Sequence, residues 1–184
     1  MAVELKEEKM DTKVEIRLDI DGRGKAEVDI GEAFFNHVLV VFAEHGLFDL
    51  YLKGKSDMRI DDHHMVEVIA RLMGRAFREA LAERKGVRRI GDQLLMLDDS
   101  VVMCTVDVKG QGLCYFEGTF QKDFCGCFST EMVPHFFRSF ATYGMFNIYL
   151  KIIQGDNDHH KVQAVFKALA RALAEAVSVD PRRV

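Results

Sequence analysis

One block of this sequence is written twice. NHVLVVFAEHGLFDLYLK at residues 36–53 and PHFFRSFATYGMFNIYLK at residues 134–151 match at a constant offset of 98. Each leads through a loop to an Asp-His-His run, DDHH in the first copy and NDHH in the second, the second loop being two residues shorter. Beyond each His-His pair runs an amphipathic helical stripe: Val66, Ile69, Ala70, Met73, Phe77 and Leu81 in one, Val162, Val165, Phe166, Leu169, Leu173 and Val177 in the other. Before each block lie two strand-like runs separated by Gly-containing turns, TKVEIRLDI and KAEVDI, then SVVMCTVDVKG and LCYFEGTF. Each half therefore reads β-β-α-β-α, residues 1–90 and 91–184, with the segment from Arg84 to Leu95, carrying Gly86 and Gly91, as the junction. Duplication on this scale predicts an α+β fold in which each half is a sheet with helices on one face, the two packed into one compact unit.

Composition narrows the function classes. A hydrophobic fraction of 48% in 184 residues suffices for a substantial core. The net charge of -4 and the even spread of charge argue against nucleic acid as a partner. No apolar run approaches the roughly 20 residues that cross a bilayer, and the acidic start MAVELKEEKMD lacks the apolar region of a secretory signal. The expectation is a cytoplasmic protein without a membrane partner. The four cysteines are too few for a disulfide framework at this length and are expected to be reduced; Cys125-Gly126-Cys127 reads as an edge or loop segment, a single Cys-x-Cys being a weak metal signal.

The histidines carry the chemistry. All seven lie within the repeated blocks, and six occupy equivalent positions: His37 with His135, His63 with His159, His64 with His160. In HHMVE, His63 and Glu67 are four residues apart, share one helix face and can grip one ion. His64 points about 100° away, toward a second ion or a substrate. Imidazole with carboxylate suits manganese, iron or zinc, and the absence of thiolate leans the site toward manganese or iron. Asp61-Asp62 and Asp156-Asn157-Asp158 precede the two helices, where Asp62 and Asp158 read chiefly as caps; orienting a ligand imidazole is the other reading.

FFNHVLVVFAEHGLFDL, IDDHHMVE, DNDHHK and FKALARALAEAV together resemble the imidazoleglycerol-phosphate dehydratase family of histidine biosynthesis over nearly the whole chain. The resemblance implies a hydro-lyase with two manganese(II) ions per active site, held at subunit interfaces of a homo-oligomer of up to 24 subunits. Its substrate would be a small phosphorylated imidazole. It places metal ligands at His37, His63, His64, Glu67, His135, His159 and His160, with Gln163 where the family has an eighth, glutamate, ligand. It places catalytic groups at Asp11, Glu67 and His45, substrate contact at His45, and phosphate contacts at Arg89 and Lys167. By itself His45 reads equally as a helix-end residue favoured by the dipole.

The pattern departs from the family at Gln163, at Val68 and Asn36 (each an Asp there), and at Gln111 (a phosphate-binding Arg there), and the sequence to Val184 has no Ser-x-Lys substrate contact. A neutral amide at 163 predicts a weaker second metal site. Three readings stay open: a working dehydratase or close variant, a same-fold metalloenzyme acting on a different substrate, and a non-catalytic metal-assembled paralogue.

Overall fold

The computed structural model describes residues 2–9, 12–55 and 63–184. The first half runs β1 (Val3–Lys9), β2 (Thr12–Asp19), β3 (Ala26–Asp29), α1 (Ala33–Gly46), β4 (Asp49–Lys55) and α2 (His63–Leu81). The second repeats it: β5 (Ile90–Leu97), β6 (Ser100–Asp107), β7 (Cys114–Glu117), a short hairpin of β8 (Phe124–Cys125) and β9 (Phe128–Ser129), α3 (Met132–Gly144), β10 (Asn147–Gln154) and α4 (Asp158–Val177). The sheet orders are β1-β2-β4-β3 and β5-β6-β10-β7. In each, the last two strands named are parallel and joined through a helix, α1 or α3, the crossover that parallel neighbours require. Helices α1 and α2 cover the first sheet, α3 and α4 the second, and the layers meet with α2 on α3 and α1 on α4.

The four-stranded sheet of each half thus holds one strand more, before the first helix, than the two expected, and the second half adds the short β8–β9 hairpin. In β1 only Val3 and Leu5 supply apolar periodicity, so an edge strand reads as a charged tail. In β5 the run Leu94-Leu95-Met96-Leu97 does not alternate, and Gly91 reads as a turn; the expected junction from Arg84 to Leu95 is therefore half strand. Gly91 is needed inside that strand because a Cβ there would lie 2.0 Å from the Ala172 carbonyl oxygen of α4.

The repeated Gly-x-Phe after each first helix is a stop signal with a packing role. Leu47 and Met145 adopt left-handed conformations (φ 57° each), and their N–H groups close the last turns of α1 and α3. The preceding Gly46 and Gly144 leave room for the rings of Phe48 and Phe146, which turn back into the core. At the centre Phe77 meets Phe42 and Phe48 of its own half and Phe140 and Phe146 of the other edge-on, tying the helix layers together.

Candidate metal centre and active site

Each His-His pair opens the second helix of its half, and each accessory histidine lies in the first turns of α1 or α3. Because α2 packs on α3 and α4 on α1, every cluster draws on both halves. His63 and His135 have ring centroids 4.3 Å apart, and His63 Nε2 lies 3.9 Å from Glu67 Oε2. Ligand-type atoms of these three side chains all fall within 4.8 Å of one another. His135 Nε2 is buried and has no hydrogen-bond partner among the described residues; burial, then the neighbouring His63, lowers its pKa and keeps the imidazole neutral. A buried, unpartnered, neutral imidazole nitrogen beside a second imidazole and a carboxylate fits a divalent transition metal.

The mirror cluster is looser. His37 and His159 have centroids 6.2 Å apart, and the Gln163 amide N–H donates to His37 Nε2 at 2.5 Å. His159 rests on the Phe34 ring at 4.9 Å, and burial lowers its pKa, with His160 and His37 adding to the effect. The second histidine of each pair turns away, as helix geometry requires. His64 is exposed. The His160 ring stands at 87° to that of His159, with Nδ1 2.7 Å from Asp99 Oδ1. A carboxylate on Nδ1 fixes the tautomer that leaves the Nε2 lone pair for a ligand.

Asp99 is the site residue that sequence reasoning missed. Its other oxygen accepts from the Asp156 and Asn157 N–H groups at 2.7 and 2.9 Å, and these bonds with His160 hold its carboxyl far below the usual range. In LDDS it reads only as turn chemistry between β5 and β6. The expected cap is displaced by one: Asn157, not Asp158, caps α4, its Oδ1 accepting from His160 N–H. Asp158 is buried, paired with Lys161 at 2.7 Å, and accepts from the Gln121 and Lys122 N–H groups. One of its oxygens is taken by that loop and the other by Lys161. Asp11, Asp61 and Asp62 lie outside the described residues.

His45, in the last turn of α1, is half-buried, and burial followed by the charge of Lys167 on α4 lowers its pKa. The helix-end cation reading is thereby disfavoured, while His45 and Lys167 do come together. Arg89 is committed elsewhere, both nitrogens of its fork donating to Asp107 at 2.8 Å. Of the family departures, Val68 is buried in the core, Asn36 Oδ1 accepts from Ile30 N–H, and Gln111 N–H donates to Asn147. Cys125 and Cys127 flank a tight hairpin turn, and no cysteine joins a ligand cluster among the described residues.

Fold and site define a class: an internally duplicated α+β protein, two helix layers between two four-stranded sheets, with His/Glu ligand sets of metal-binding type at the helix starts. The sequence profile of imidazoleglycerol-phosphate dehydratase matches residues 30–173. The enzyme of that name from Dehalococcoides mccartyi is 42% identical over 179 residues, covering 97% of this chain and 90% of its own, and that from Halobacterium salinarum is 39% identical over 176, covering 96% and 89%. The crystal structure of the Staphylococcus aureus enzyme superposes with a TM-score of 0.89 at 27% identity, over 98% of this chain and 100% of that one. That of the Pyrococcus furiosus enzyme in complex with (S)-C348 gives 0.83 at 26%, over 96% and 95%. The chain belongs to the imidazoleglycerol-phosphate dehydratase family, hydro-lyases of histidine biosynthesis.

Proposed function

We propose that this chain dehydrates imidazoleglycerol phosphate to imidazoleacetol phosphate in the cytoplasm. The observation that carries this is the cluster of His63, Glu67 and His135, with its unpartnered buried nitrogen, in the family framework. His37, His159, His160 and Gln163 provide the second ligand set, and His64 faces outward to complete a site with another subunit. When bound, two manganese(II) ions, or iron or zinc in their place, anchor and polarise the substrate imidazole. His45, neutral near pH 7, is placed to contact substrate and move a proton; Lys167 beside it binds the phosphate by charge-assisted hydrogen bonds. Arg89 joins it by exchanging Asp107 for phosphate, and Asp11 serves as the acid–base group on the substrate chain. Glu67 would hold a metal ion together with His63 and His135.

A homo-oligomer, up to the 24 subunits implied by the family, fits the surface. The outer face of the first sheet is charged, with Lys6–Glu15 and Lys53–Glu27 pairs at 3.0 and 3.6 Å. That of the second exposes Leu94 and Met96, each 71% accessible, with Ile90, Met103, Tyr115 and Ile153. An apolar patch of this kind marks an association surface.

The commitment of Arg89 to Asp107 favours, as a second reading, the same chemistry on a substrate with a different polar end. Purified protein assayed with imidazoleglycerol phosphate and manganese, beside Gln163→Glu, separates the readings. Turnover in either supports the proposal, and none in both sinks it. Bound metal without turnover then points to the second reading, and metal-dependent assembly alone to a non-catalytic paralogue.

A further inference from the structure

Arg71 lies one turn beyond Glu67 on α2, its Nη1 4.0 Å from Glu67 Oε1. A fixed cation there opposes a divalent ion at His63, Glu67 and His135. The cation is not left alone. Glu7 of β1 receives both sides of its guanidinium, Nε at 3.3 Å and Nη2 in closer contact, and the group stacks 5.6 Å over the Tyr143 ring of α3. Only 19% of the Arg71 and 20% of the Glu7 side chain is accessible, so water screens the pair poorly.

The duplication supplies an internal control. Glu7 pairs with Val14 as Leu95 pairs with Val102, at equivalent positions of the two sheets. At the second cluster Gln163 stands for Glu67, Lys167 for Arg71, Leu95 for Glu7 and His45 for Tyr143. The ligand carboxylate and the compensating carboxylate are present together in one half and absent together in the other. Both halves keep the cation.

We propose that Glu7 is a positioning residue for the first metal cluster: it neutralises Arg71, which pins β1 across α2 and α3, so that the cluster keeps the net negative charge a divalent cation needs. The inference rests on the metal reading proposed above.

Titration of the metal-free full chain with cobalt(II), followed by visible absorption and calorimetry, tests it. Glu7→Gln is expected to weaken binding at the first cluster about tenfold or more. Arg71→Met, and Glu7→Gln with Arg71→Met together, are expected to bind at least as tightly as the parent. Unchanged affinity in Glu7→Gln overturns the proposal, and so does a loss in the double variant equal to that of Glu7→Gln, since the pair would then act through packing. Glu67→Gln is the separate control: if it leaves cobalt binding intact, the metal reading itself fails.

Discussion

Gln163→Glu restores a carboxylate at the one ligand position where the two halves differ most in charge. In the parent, the amide N–H of Gln163 donates to His37 Nε2 at 2.5 Å and so covers the lone pair through which that imidazole would bind an ion. A carboxylate cannot donate, so the substitution both frees His37 and adds a negative charge. The site is open, with His37 and His159 exposed, so the high-dielectric limit gives the lower bound. Unit charges at about 4 Å in water attract by about 1 kcal/mol, hence about 2 kcal/mol for a divalent ion, roughly 30-fold in affinity. Manganese(II) titration of the parent is then expected to resolve two classes of site per chain, and Gln163→Glu to tighten the weaker class by about that factor or more while the stronger is unmoved. Two equally tight classes in the parent, or a variant that tightens neither, would refute the reasoning. Lys167, one turn on, works against the gain, so Lys167→Met added to Gln163→Glu is expected to tighten the site further.

Other consequences follow from the same geometry. Asp99→Asn should lower affinity for metal at His160 by about 10- to 100-fold, as loss of an orienting partner does, readable by the same titration. Because the folded-state pKa of Asp99 is depressed, its contribution to stability is present above the unfolded carboxyl pKa of about 3.9 and is lost as pH falls. The stability gap between parent and Asp99→Asn, from denaturant melts, should therefore hold steady near neutral pH and close below about pH 4. Phe77 is fully buried between the halves. Phe77→Ala should cost about 3–5 kcal/mol, a fall in Tm of about 6–20 °C for a chain of this size, in one cooperative transition; separate melting of the halves would contradict the shared core.

The sequence by itself determined the duplication, the α+β class, four helices and the six histidines in register. These are legible because they depend on short-range geometry: a period near 3.6 aligns His63 with Glu67 and turns His64 aside, whatever else the chain does. What escaped it depends on distance across the fold. Nothing local reveals that His63 meets His135 rather than His37, since the packing of α2 on α3 decides it, or that Asp99, 61 residues away, holds His160. The edge strands β1 and β5 hid for a related reason: one faces charge outward and the other apolar side chains, so neither alternates as a half-buried strand should. The repeat fixed which side chains could hold a metal, and only tertiary packing decided how they group, because each cluster is assembled from helices of opposite halves.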